Sequence, residues 1–149
     1  MNIIDRILAR CRKEPYPRLL GIEVQEIKTG YARVIMTNRA DMQNIFGMLH
    51  GGAVFSLMDE AFQLACNSRG EIAVAQQVTV YFLAAASPGV TLIAEAVEQN
   101  ATRKTALYDV QVHEQTDNGK QGRQIASAKA LAYRKGGELP FDDFGNMNQ

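Results

Sequence analysis

Residues 44–62 read NIFGMLHGGAVFSLMDEAF, and QLACNSRG carries the run on to Gly70. Between Gly52 and Gly70 the apolar residues Ala53, Val54, Phe55, Leu57, Met58, Ala61, Phe62, Leu64, Ala65 and Cys66 cover most of a helical circumference. That pattern marks a core helix, wrapped by sheet or by a partner. What stays polar is a narrow stripe of Ser56, Asp59, Glu60, Gln63 and Asn67. At about 100° per residue, Asp59 falls at the edge of the stripe beside Phe55, Phe62 and Cys66, so its carboxylate is half inside. Glu60 falls on the other side. On spacing alone, the stripe also suits the solvated face of an amphipathic helix.

No other segment carries a helical period of that length. Upstream, NIIDRILARCRK (2–13) places Ile3, Ile4, Ile7, Leu8 and Cys11 at helical spacing, and Pro15 and Pro17 predict its end. GIEVQEIKTGYARVIMT (21–37) reads as a hairpin turning at Lys28-Thr29-Gly30. Downstream, strands are predicted over 72–83, 91–99, 104–114 and 124–134. Their breaks at Ser87-Pro88-Gly89, Asn100-Ala101-Thr102 and Thr116-Asp117-Asn118-Gly119 carry turn chemistry. From Gly136 the sequence GGELPFDDFGNMNQ loses all periodicity, and a loose tail is expected over 136–149. The whole, 1–149, reads as one α+β domain. About six antiparallel strands need a cover for their apolar face, and the long helix is the candidate.

Composition narrows the function. Sixteen basic and sixteen acidic side chains cancel, so no global field draws the chain to nucleic acid or an anionic membrane surface. No apolar run is long enough to span a bilayer, and the start MNIIDRILARCRKEPYP carries charges throughout with no small-residue cleavage site. A cytoplasmic protein is the expectation. Cys11 and Cys66 have neither CxxC nor metal-type spacing and are read as reduced thiols.

The HGG at the helix start leaves two readings open. A first helical turn has unpaired N–H groups and the positive end of the macrodipole, and glycines there let a ligand approach the backbone. A developing oxyanion suits such a place. Alternatively, Gly51 and Gly52 only permit a sharp turn, with His50 satisfying a nearby carbonyl.

Asn44, Gly47, His50-Gly51-Gly52, Phe55-Ser56-Leu57, Asp59, Ala61-Phe62, Ala65-Cys66-Asn67-Ser68 and Gly70 together resemble the hotdog-fold acyl-CoA thioesterases of the phenylacetate-pathway PaaI type. Tyr81-Phe82-Leu83, Thr91-Leu92 with Ala94 and Ala96, and Tyr108 to Val112 extend the resemblance, which spans roughly residues 18–134. It implies the hotdog fold: a curled antiparallel sheet wrapped around the central helix. It also implies a homodimer with active sites between subunits, often doubled to a tetramer, acting on acyl-CoA with no metal and no organic cofactor. By the same resemblance Asp59 activates water or attacks the carbonyl itself. The Gly51 N–H polarises the thioester oxygen, Asn44 positions the water or the thioester, and His50 supports the loop, or the loop and also the oxyanion. Gly52, Phe55 and Phe62 border the substrate. The chemistry needs little more, because the leaving thiolate is only weakly basic, near a reference pKa of about 8.5.

The chain departs from the pattern in places. Where relatives carry a serine or threonine on the strand after the helix, Gln77 and Thr79 are the available groups. Tyr81 stands where a charged residue is common, and Ala84-Ala85-Ala86 replaces an Arg-Pro run. Arg103 and Lys104 suit CoA phosphates, or are a solvated charge pair at a turn. Two other functions stay open. One is hydration or dehydration of an acyl thioester, for which His50 and Glu60 offer suitable types without the Asp-x4-His pattern. The other is a non-catalytic acyl-CoA-binding module with a structural Asp59. No nucleophilic triad accompanies His113, which alternates along a strand.

Overall fold

The computed structural model describes residues 1–148. Helix α1 (Ile3–Cys11) opens with Asn2 as its cap, the Asn2 Oδ1 accepting from the Asp5 N–H at 2.9 Å. A second helix, α2 (Pro15–Leu20), follows at once. The prolines expected only to end α1 also start α2, because proline at a first helical position gives up an N–H that has no intrahelical partner there. The six strands are β1 (Glu23–Lys28), β2 (Tyr31–Thr37), β3 (Glu71–Phe82), β4 (Thr91–Ala101), β5 (Thr105–Gln115) and β6 (Gln121–Glu138), with α3 (Gly51–Asn67) between β2 and β3. They form one antiparallel sheet in the order β1-β2-β4-β5-β6-β3. The expected α+β architecture of one sheet around one long helix is what the chain adopts.

Small side chains let that helix nest against the sheet. Ala126, Ala128, Ala130 and Ala132 alternate along β6, Ala94 and Ala96 along β4, and all are buried; the period of two puts each set on one face. Into this shallow bed α3 presses Leu57, Met58, Ala61, Phe62 and Ala65. The Phe62 ring meets Tyr108 of β5 edge-on, with centroids 5.5 Å apart. Burying a side chain of this size stabilises by about 2–3 kcal/mol. The far end of α3 is tied to the β1–β2 turn through Ser68, whose hydroxyl donates to the Ala65 carbonyl at 2.7 Å and accepts from the Gly30 N–H at 2.8 Å. Helix and sheet are thereby locked in register.

The segment after Gly136 is placed by contacts rather than by a period. β6 runs to Glu138, Leu139 is buried, and residues 140–148 fold back along α1. The Arg6 guanidinium donates to the Phe141 carbonyl at 2.6 Å and pairs with Asp143 at 3.3 Å. Gln149, the last residue of the tail expected to be loose, lies outside the described residues. Among the described residues no helix is long and apolar enough to cross a membrane. Cys11 and Cys66 are free thiols, each pushed up to about 12 chiefly by burial.

Candidate active site

The loop before α3 is a small hairpin that delivers the helix start. Gln43 bridges Leu49, the Asn44 N–H donates to the Met48 carbonyl at 2.7 Å, and the His50 N–H donates to the Met42 carbonyl at 2.8 Å. Asn44 Oδ1 accepts from the N–H groups of Phe46 and Met48, at 2.9 and 3.1 Å. With that oxygen committed to the loop, only the Asn44 amide N–H₂ is left to face a ligand.

His50 is the N-cap of α3. Its Nδ1 accepts from the Gly52 N–H at 2.8 Å, while its carbonyl takes the N–H groups of Ala53 and Val54. The neutral imidazole therefore carries its proton on Nε2. Of the first four donors of the helix, only the Gly51 N–H makes no hydrogen bond among the described residues. The Phe82 ring lies beside it, 3.4 Å from where a Cβ on Gly51 would sit. One donor is thus left at the positive end of the helix, walled by an aromatic ring.

The polar stripe of α3 is only partly solvated: Asp59 and Gln63 are exposed, Ser56 and Asn67 half-buried and Glu60 buried. Ser56 meets the Tyr16 hydroxyl of α2 at 2.8 Å and donates to the Gly52 carbonyl at 2.8 Å. The Gln63 amide donates both to Glu14 at 2.9 Å and to Glu60 at 3.2 Å. Asn67 clamps the start of β3, donating to the Ala73 carbonyl and accepting from the Ala73 N–H. Asp59 is the exception: it alone in the stripe has no hydrogen bond or ion pair to its own chain among the described residues. It lies at the wall of an open, mostly apolar cavity of about 340 Å³ between α1, α3, β3 and the tail. The residue is exposed to solvent at the cavity mouth. Burial, and then the charge of Glu14, hold its pKa above the usual aspartate range.

Glu60, read as a stripe residue, is buried under the α1–α2 segment, and among the described residues its Oε1 has no partner. Burial, then Glu14 and Asp59, push it up to about 8, which leaves it a neutral acid near pH 7. Cys11, Glu14 and Glu60 bring metal-ligand types within 4.8 Å of one another. The Gln63 amide shared by the two carboxyl groups gives that cluster a hydrogen-bonded account. The helical period carries no sign of Glu14 or Tyr16 as partners of α3, because both come from a segment folded over it.

The remaining expected site residues are scattered. Phe62 is buried in the cavity wall beside Asp59, and Phe55 is partly exposed one turn earlier on α3. Gly52 gives its N–H to His50. Gln77 and Thr79 are exposed on β3, an edge strand of the sheet. Arg103 and Lys104 lie with Arg134 and Lys135 around Gly70, past the C-terminal end of α3 and away from Gly51. An apolar surface runs from the loop to the strand edge: Ile45, Phe46, Met48, Tyr81, Phe82 and Leu83 are all exposed.

Known proteins match this chain over most of its length. A family model described as a domain of unknown function, DUF4442, matches residues 6–129. A relative from Archaeoglobus fulgidus is 39% identical over 122 residues, 82% of this chain and 76% of its own. The acyl-coenzyme A thioesterase PaaI of Escherichia coli is 37% identical over 122 residues, 82% of this chain and 84% of its own. The solved structure of the E. coli PaaI protein, from the phenylacetic acid degradation operon, superposes with a TM-score of 0.83 at 33% identity. That superposition covers 91% of this chain and 95% of that one.

Proposed function

The chain belongs to the family described as DUF4442 and to the PaaI-type hotdog acyl-CoA thioesterases, and from that premise we propose that it hydrolyses an aryl-acetyl-CoA or medium-chain acyl-CoA, with Asp59 as the reacting carboxylate. The observation that carries this reading is the isolation of Asp59: among the described residues it alone in the stripe makes no hydrogen bond or ion pair with its own chain, although it borders the cavity. A carboxylate kept unpaired beside an apolar cavity is a poor structural element and a good base or nucleophile.

The reaction follows from the groups present. The thioester oxygen accepts from the Gly51 N–H and from the Asn44 amide, two donors that strengthen their hold as negative charge develops on it. Asp59 takes a proton from water as the water adds to the carbonyl carbon, or adds to that carbon itself and gives an anhydride that water then opens. In either route the C–S bond breaks and the electron pair leaves on sulfur. His50, whose Nδ1 is spent on the Gly52 N–H, holds the donor turn in shape.

Gly51 and Asp59 of one chain are too far apart to serve one carbonyl, so the working site combines the loop and helix start of one protomer with Asp59 of its partner. The apolar strip from Ile45 to Leu83, ending at the β3 edge, supplies a surface for that homodimer. The basic group around Arg103 and Lys104 is the place for CoA phosphates. Aryl-acetyl groups are favoured by the operon from which the E. coli relative comes.

The test is release of free thiol from phenylacetyl-CoA and a straight-chain acyl-CoA series, comparing the native protein with Asp59→Asn. Hydrolysis that collapses in the near-isosteric variant is expected; turnover that survives the change would remove Asp59 from the chemistry. Silence on every thioester, with CoA binding retained, would favour a binding module.

A further inference from the structure

The cavity at Asp59 has walls from four elements. Ile7 and Cys11 come from α1, Phe62 and Cys66 from α3, and Leu139 and Phe141 from the tail, with the first half of β3 as its floor. Its volume of about 340 Å³ falls within the range of small-molecule sites, about 300–1,000 Å³. The cavity is an open, mostly apolar cleft whose polar lining is Arg10, Glu14, Asp59, Gln63 and Asn67, and its apolar part is a place for an apolar group.

The tail wall is fastened at several points. Gly145 has φ +74°, and a Cβ there would lie 2.5 Å from the Ala9 carbonyl carbon and oxygen and from the Arg10 nitrogen. Backbone therefore meets backbone where the tail crosses α1. The Arg10 guanidinium donates to the Gly145 carbonyl at 3.3 Å, the Arg6 guanidinium to that of Phe141, and the Lys13 ammonium to Asn146 Oδ1 at 2.5 Å. The family match stops at residue 129, so this wall is built from sequence outside it.

We infer that the cavity is an acyl chamber: the apolar part of the acyl group lies in it with the thioester carbonyl at Asp59, and the tail docked on α1 is the wall that sets how long that group is. The inference rests on the reading of Asp59 as the reacting carboxylate. It assigns selectivity to residues 139–147, far in sequence from the HGG loop and the helix.

The test uses the full chain and S-alkyl thioethers of CoA, which bind without being hydrolysed, bearing ethyl, hexyl and decyl groups. Affinities are measured by calorimetry for the native protein, for Gly145→Ala, which forces the tail off α1, and for Phe141→Ala, which opens the wall without backbone strain. Lifting or thinning the wall moves the preferred chain length upward, changing the decyl-to-ethyl affinity ratio by about tenfold or more. Superimposable chain-length profiles for the native protein and Phe141→Ala would overturn the chamber. Hydrolysis that persists in Asp59→Asn would sink the catalytic reading and leave these profiles untouched, so the two failures are distinguishable.

Discussion

Gly51 and Asp59 stand on one helix eight residues apart, the first at its N-terminal end and the second midway along it. At 1.5 Å per residue the separation along the axis is about 12 Å. A carbonyl polarised by the Gly51 N–H is therefore out of reach of the same chain's Asp59. Among the described residues the Gly51 donor is the one unspent N–H of the first turn, and Asp59 is the one stripe residue with no hydrogen bond or ion pair to its own chain. In the proposed mechanism each protomer therefore supplies Gly51 to one site and Asp59 to the other.

The donor can be deleted without disturbing the helix. Gly51 is the first helical residue, where proline is tolerated, and His50 before it already has φ −63° and ψ 134°, the extended shape a following proline requires. Gly51→Pro should fold with a melting temperature near native and lose kcat by about 10²–10³. Gly51→Ala, which keeps the N–H, should retain most activity. Equal losses in both variants would point to crowding against Phe82 and away from a lost hydrogen bond.

His50 acts by capping. His50→Ala should destabilise the protein by about 1 kcal/mol and lower kcat by loosening the first turn. Asn is among the best capping residues, so His50→Asn should recover both stability and turnover. Failure of asparagine to restore turnover, with stability regained, would require the imidazole in the reaction itself.

The pH profile reports on Asp59. Its pKa is raised by burial and by Glu14, and in the proposed mechanism the ionised form is the reactive one. Activity should therefore rise with pH through a midpoint above the usual aspartate value of about 3.9. Glu14→Gln removes the nearby charge while keeping an acceptor for Gln63, so the acid limb should move to lower pH. An unmoved limb would assign it to another group.

Glu60 gives a stability signature of opposite sense to an ordinary salt-bridged acid. Its folded pKa, about 8, lies above the unfolded value of 4.5, so the native state holds more protons in that window and stability falls as pH rises through it. The slope is at most about 1.4 kcal/mol per pH unit. Glu60→Gln should be near neutral in thermal melts at about pH 5 and stabilising at about pH 8. A variant equally destabilised at both would show that the carboxyl makes a contact an amide cannot.

Much of this was legible in the sequence because it is periodic. The circumference of apolar residues from Ala53 to Cys66 announced a helix wrapped on most sides, and the breaks at Ser87-Pro88-Gly89 and Thr116 to Gly119 separated the strands. Asp59 at the edge of the polar stripe was visible from angular position alone. What was not legible comes from chain crossings. No period reveals that α2 puts Tyr16 against Ser56, or that Glu14 and Glu60 share the Gln63 amide. Glu60 looks solvent-facing on a helical wheel because the wheel does not contain the segment that covers it. The tail is held by a glycine crossing α1 and by arginines bonded to backbone carbonyls, interactions that leave no pattern in side-chain polarity.

The division of the site between two protomers is tested most directly by complementation. Gly51→Pro and Asp59→Asn are each expected to be nearly inactive, so they are mixed in equal amounts, unfolded and refolded together. If each site takes Gly51 from one protomer and Asp59 from the other, a mixed dimer has one intact site and one doubly damaged site. With random pairing, about a quarter of native activity should return. A mixture that forms mixed dimers yet stays as inactive as its parents would contradict the account.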